Sequence, residues 1–276
     1  MNIIELITSN ISTILALAAT GVFAGILAGL LGVGGGIVIV PVLFFLFQGF
    51  GVSAESAMLV ATATSLATIV PTSVSSILSH NHKGNVDFEL LKHWALFILF
   101  GVLAGSWLVT RVDGTYLTML FGVIATLSAL NMLLRTGKSA LYQQLPGKVG
   151  QTVMGTSIGF FSSMVGIGGG TISVPLLTLY NYSAHKAVGT AAAIGLIISL
   201  PAALTMLMLG STPSDAPAGT FGLVNLFGFI CIVPLTVLFA PIGASLAAKL
   251  DAAKLKKIFA LVLLVTGLRM LAQLFI

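Results

Sequence analysis

The chain is written as long apolar runs cut by short clusters of glycine, proline and charge. A spanning helix uses about 20 consecutive apolar residues, at about 1.5 Å each. On that measure residues 11–33, 54–79, 90–110, 115–135, 149–166, 184–209, 221–248 and 252–275 read as membrane helices. Two further runs, 36–48 and 170–180, are too short to cross comfortably, and each follows a glycine run. They read as half-helices or as return arms of tight membrane hairpins. Non-helical backbone at that depth survives only where protein or a water-filled cavity surrounds it. Pro234 and Pro241 fall inside 221–248, so that segment is expected to be bent or broken. The pattern predicts an all-α polytopic membrane protein of about ten segments, two of them short half-helices.

The pattern also repeats. Residues 25–43, GILAGLLGVGGGIVIVPVL, align without a gap on 159–177, GFFSSMVGIGGGTISVPLL. Gly32, Gly34, Gly35, Gly36 and Pro41 fall on Gly166, Gly168, Gly169, Gly170 and Pro175, at an offset of 134. The register continues at an offset of 130 for Ala54, Ala57, Ala61 and Pro71, and at 138 for Gly105, Asp113, Leu117 and Met132. The chain reads as one five-segment unit written twice, 1–135 and 149–276, joined by a linker at 136–148.

Charge decides how the two copies are related. Loop 80–93 carries Lys83 and Lys92, while its counterpart 210–220 has no Lys or Arg. Loop 249–257 carries Lys249, Lys254, Lys256 and Lys257 against Arg111 alone in 111–119. Lys186 has no cationic counterpart in 48–55, and the linker region adds Arg135, Lys138 and Lys148. Cationic loops stay on the cytoplasmic side, so the second copy is expected to be upside down relative to the first. Both termini are then outside and the linker is cytoplasmic. Inverted repeats with helices broken at matching places are the signature of a secondary transporter, with its site at the repeat interface.

Composition adds constraints. Only 7% of the 276 residues are charged and 57% are hydrophobic, which excludes a soluble enzyme, a nucleic-acid binder and a disordered chain. The net charge of +5 is spread over short loops and fits topology better than phosphate binding. No basic stretch precedes the first apolar run, so this segment is expected to be retained rather than cleaved. Cys231 is the single cysteine and supports neither a disulfide nor a cysteine-based metal site.

Any anion site must therefore be built without buried charge. Consecutive glycines permit positive φ and close approach. The half-helices that follow start near Ile37 and Thr171, and their free N–H groups and dipoles favour an anion. The bland reading is tight helix crossing, which suits the spaced Gly21, Gly25, Gly29, Gly155 and Gly159 better. Thr62, Ser65, Thr68 and Thr72 share one helix face, and Thr190 lies in the matching segment. Taken one at a time, such hydroxyls read as interhelical or back-bonding groups. The candidate binding set is Gly34, Gly35, Gly36, Ile37, Thr62, Ser65, Gly168, Gly169, Gly170, Thr171 and Thr190. Gly32, Pro41, Gly166 and Pro175 are expected to be structural breaks. His80, His82 and His93 read as residues of one solvated loop, and neither a metal site nor a cofactor is expected.

At GLLGVGGGIVIVPVL (29–43) and MVGIGGGTISVPLL (164–177) the sequence resembles the TauE/SafE sulfite exporter family of membrane permeases. The small-residue segments from Ala54 and Ala184 extend the resemblance. It implies transport of sulfur-containing oxyanions or organosulfonates, such as sulfite or sulfoacetate, across a bacterial or archaeal inner membrane. The expected activity is alternating-access transport, with a proton or sodium ion as candidate coupling ion. A passive anion channel and a carrier of other small carboxylate anions are the alternatives. An intramembrane enzyme lacks a charged catalytic pair.

Overall fold

A computed structural model describes residues 11–32, 34–134, 141–246 and 252–275. The N-terminal residues, Arg135, the first part of the linker, 136–140 with Lys138, Lys249 and the side chains of Lys254 and Lys256 lie outside the described residues. Among the described residues ten α-helices run in order: α1 (Ile11–Leu31), α2 (Gly36–Gly49), α3 (Ala54–Asn81), α4 (Phe88–Val109), α5 (Gly114–Leu134), α6 (Lys148–Val165), α7 (Gly170–Leu179), α8 (Ala184–Leu209), α9 (Leu226–Leu246) and α10 (Ala252–Ala272). Six of them, α1, α3, α4, α5, α8 and α9, are long and apolar enough to cross a membrane. As expected, α2 and α7 are short, with 14 and 10 residues.

Three expectations need correction. Residues 226–246 form one continuous helix although Pro234 and Pro241 lie inside it. In an apolar surround, neighbouring helices can re-satisfy the carbonyls that proline frees. Residues 220–225 are not membrane helix but a two-stranded antiparallel hairpin, β1 (Thr220–Phe221) with β2 (Val224–Asn225). Pro41 and Pro175 are not breaks either. Each sits within its short helix, α2 or α7.

Local chemistry sets the helix starts. Ser53 caps α3, its Oγ accepting from Ser56 N–H at 3.3 Å. Asp87 caps α4 through Leu90 N–H at 3.1 Å, and Ser183 caps α8 through Lys186 N–H at 3.3 Å. Such caps satisfy N–H groups that the first helical turn leaves free.

Packing follows the small residues. Helix α1 lies along α9 and α6 lies along α4. A Cβ on Gly25 would stand 2.8 Å from Thr236 O, and one on Gly29 or Gly159 would collide with the Ala240 or Ile98 carbonyl. The spaced glycines thus let backbones touch, as expected of them. Helix α3 is the most buried of the six long helices and packs on α8, α9 and α2, while α5 pairs with α10. The core is continuous, running from Leu17 and Phe44 through Met58, Leu66, Trp94 and Ile98 to Ile194 and Ile198.

The connections gather at two ends. At one end Asp87 meets Lys186, Lys83 Nζ donates to Ala244 O at 2.7 Å, and Leu141 N–H donates to Leu179 O. Loop 80–93, the described part of the linker and loop 181–186 therefore share one end. At the other, Asp215 binds Ser53 and Ser56, and Gly114 abuts Glu55 O.

Candidate functional site

The two glycine runs are brought together. A Cβ on Gly34 would lie 3.3 Å from Gly168 Cα, and one on Gly36 would lie 2.5 Å from Gly166 O. Chain reversal requires left-handed backbone here. Gly35 (φ 78°) caps α2 and Gly169 (φ 76°) caps α7, a conformation that costs glycine little. The first helical bonds are made by the amides of Val38 and Ile172. The amides of Gly36 and Ile37, and of Gly170 and Thr171, precede them, as helix geometry requires. Two positive helix ends therefore start on either side of one glycine contact.

Helices α3 and α8 line this contact. Ser65 Oγ donates to Gly166 O at 2.8 Å, fixing the second break to the middle of α3. Thr62 lies against Gly166, Val188 against Gly32, and Gly195 against Gly168 O, with Ser73 Oγ beside it. Gly35 rests on Ala24, and Gly169 on Ile194 and Ile198. Ile37 is buried in the first turn of α2, as Gly170 is in that of α7.

Several hydroxyls here have no partner. Thr62 Oγ1, Thr171 Oγ1, Ser73 Oγ, Ser162 Oγ, Ser173 Oγ and Ser199 Oγ are buried without a hydrogen bond. Burying a hydroxyl unpaired costs on the order of 1–3 kcal/mol. Ser76 and Thr126 bring the number of such hydroxyls among the described residues to eight. Thr68 and Thr72 instead bond back to Ser65 O and Thr68 O, and Thr72 also bonds Thr236. For those two the bland reading holds.

Most of the expected residues converge, but one does not. Thr190 accepts from Asp87 N–H at 3.0 Å and so belongs to the cationic end. There Asp87 also holds Lys186 at 3.1 Å and the Tyr182 hydroxyl at 3.2 Å. Partial burial raises the Asp87 carboxyl, but the Leu90 amide, Lys186 and Tyr182 outweigh it and hold it below the ordinary value. Burial and the Asp87 charge push the Tyr182 phenol up to about 12. Beside them a cavity of about 350 Å³ is lined by Gln143, Gln144, Tyr180, Asn181, Tyr182 and Lys186.

Sequence reasoning missed Ser173, which lies one turn into α7 and carries no signal except its place after the glycines. It also misplaced His80. That residue is in the last turn of α3 and only 2% exposed, while His82 and His93 are exposed. Among the described residues no group of three His, Cys, Asp or Glu side chains is placed to hold a metal ion.

These features define a multi-pass helical membrane protein whose interior is organised by two glycine-broken hairpins. The comparisons place it further. The family model for the sulfite exporter TauE/SafE matches residues 17–270. A probable membrane transporter protein of Haemophilus influenzae is 32% identical, over 93% of this chain and 97% of its own. A probable membrane transporter protein of Methanocaldococcus jannaschii is 27% identical, over 92% and 94%. One of Bacillus subtilis is 25% identical, over 93% and 97%. No solved structure matches. The chain belongs to the TauE/SafE sulfite exporter family.

Proposed function

We propose that the chain is a secondary transporter of small sulfur-containing anions, sulfite, sulfoacetate or related organosulfonates, working by alternating access across the inner membrane. The observation that carries this reading is the contact of the two glycine breaks among unpartnered hydroxyls. Helix dipoles and neutral donors bind an anion without a fixed countercharge, so the anion is held loosely enough to be released. The family and the names of the relatives agree with a transport role.

The two halves, 1–135 and 149–276, are proposed as inverted repeats, with the linker cytoplasmic and both termini outside. Their crossings support this residue by residue. Gly21 meets Ile232 and Leu235, as Gly155 meets Trp94 and Phe97. Gly25 meets Thr236, as Gly159 meets Ile98. Each pair is related by the offsets of 134 and 138 seen in the sequence.

The test is uptake of labelled sulfoacetate and sulfite into proteoliposomes, with counterflow to separate a carrier from a channel. Gly35→Leu and Gly169→Leu should each abolish uptake while the protein still reaches the membrane. Wild-type uptake by both variants refutes the site.

A further inference from the structure

We infer that His80 is the proton-binding group of this protein, and that anion binding at the glycine breaks is coupled to its protonation. The inference rests on the anion-transport reading and deepens it. His80 lies within α3, buried against the end of α1. Its Nε2 is 2.7 Å from Gly29 O. A carbonyl only accepts, so Nε2 carries the hydrogen and donates. In the neutral ring, Nδ1 is then a bare acceptor, and it has no partner among the described residues.

That arrangement is poised between two charge states. Gly29 is in the last turn of α1, whose terminal carbonyls and dipole favour a cation. Among the described residues Lys83 and His185 are the charged and titratable groups that face the ring. Lys83 comes from the end of α3 and is anchored to α9 through Ala244 O, and His185 comes from the start of α8. A second proton, on Nδ1, needs an acceptor that the described residues do not provide. An anion at the breaks supplies the missing negative charge, and water that enters with it supplies the acceptor. His80 is also mechanically placed to report on the site, because Gly29 precedes the first glycine break by one turn. Holding or releasing that carbonyl changes how α1 ends and where Gly32–Gly36 begins. Protonation strengthens the hold on Gly29 O, since charge-assisted hydrogen bonds are the stronger ones.

The experiment measures sulfoacetate affinity of the purified full chain by thermal stabilisation, between about pH 5.5 and 8. Sulfoacetate is fully ionised across that range, so its own charge does not change. Wild type should lose affinity about tenfold per pH unit above the titration of His80. His80→Gln keeps an N–H for Gly29 O but cannot titrate, and its affinity should vary less than about twofold. His82→Gln, on the exposed turn, should behave as wild type. A wild-type slope in His80→Gln overturns the inference. Should His80→Gln fail to fold, nitrogen NMR of histidine-labelled wild type decides instead. Sulfoacetate should protonate Nδ1 at neutral pH, and an unchanged ring overturns the inference. Stabilisation by sulfoacetate that does not vary with pH sinks the His80 coupling alone. No stabilisation by sulfoacetate or methanesulfonate at any pH sinks the anion reading and the coupling with it.

Discussion

Gly36→Ala is the smallest change that tests whether the two breaks must touch. The added Cβ would stand 2.5 Å from Gly166 O, 2.8 Å from Ile69 Cδ1 and 2.9 Å from Ser65 Oγ. The isoleucine methyl can rotate away. The carbonyl cannot, because Ser65 Oγ holds it at 2.8 Å and Gly166 is packed on Thr62. A normal carbon–oxygen contact therefore needs the breaks to separate by several tenths of an ångström. Overpacking of this kind costs about 1–3 kcal/mol. In a chain of this size that is a fall of roughly 2–10 °C in the unfolding midpoint. Gly49→Ala is the control, since a Cβ there meets nothing within 4 Å. It should leave stability unchanged or raised by less than about 1 kcal/mol, alanine being the better helix former. Both variants go through thermal unfolding in detergent and uptake in proteoliposomes. Gly36→Ala should lose stability and most uptake, and Gly49→Ala neither. If the two variants unfold and transport alike, the packed contact between the breaks is wrong.

Ser65→Ala should cost about 1–3 kcal/mol, because it strands the buried Gly166 carbonyl. Chemical denaturation checks this, and a midpoint equal to wild type would remove Ser65 as the tie. Asp215 is held down to about 2 by hydrogen bonds, first from Ser56 Oγ and then from Ser53. Its folded value lies below the ordinary carboxylate value, so its contribution is fully present above about pH 4 and disappears as the pH falls towards 2. The stability gap between wild type and Asp215→Asn should therefore close over that window, and a gap constant with pH would contradict the assigned bonds. Single cysteines at His82 and Ser214, introduced with Cys231→Ser, should label from opposite sides of the membrane. Labelling of both from one side would refute the proposed topology.

Apolar run lengths placed the helices within a few residues because lipid and core impose the same requirement: an unbroken apolar stretch with internal hydrogen bonds. Proline did not interrupt helix in this setting. Pro41, Pro71, Pro175, Pro201, Pro234 and Pro241 all lie inside helices. The packing around α9 was not visible in its sequence. The glycine contact was legible in part. The repeat announced two breaks, but only tertiary packing shows that Gly34 reaches Gly168.

The register at the site was beyond the sequence for a specific reason. Matching residues at an offset of 130 pairs Val60 with Thr190. The contacts pair Thr64 with Thr190 instead: Asn225 N–H donates to Thr64 Oγ1 at 2.8 Å, as Asp87 N–H does to Thr190 at 3.0 Å. Likewise Gly166 meets Thr62 where Gly32 meets Val188, and Gly34 meets Ile69 where Gly168 meets Gly195. Each of these pairs is offset by 126. The four-residue difference matches the lengths of the short helices, 14 residues in α2 against 10 in α7. One extra turn in α2 starts α3 one turn further from the break, so α3 arrives at the site with a different set of side chains. That places Thr62 and Ser65 where the other half offers Val188 and Ala191, which makes the hydroxyl lining lopsided. An anion between the breaks would therefore lean towards α3. Exchanging Thr62 for valine should then weaken sulfoacetate binding, whereas Val188→Thr should strengthen it. Thermal stabilisation by sulfoacetate reads both, and equal binding by both variants would show that this face does not touch the anion.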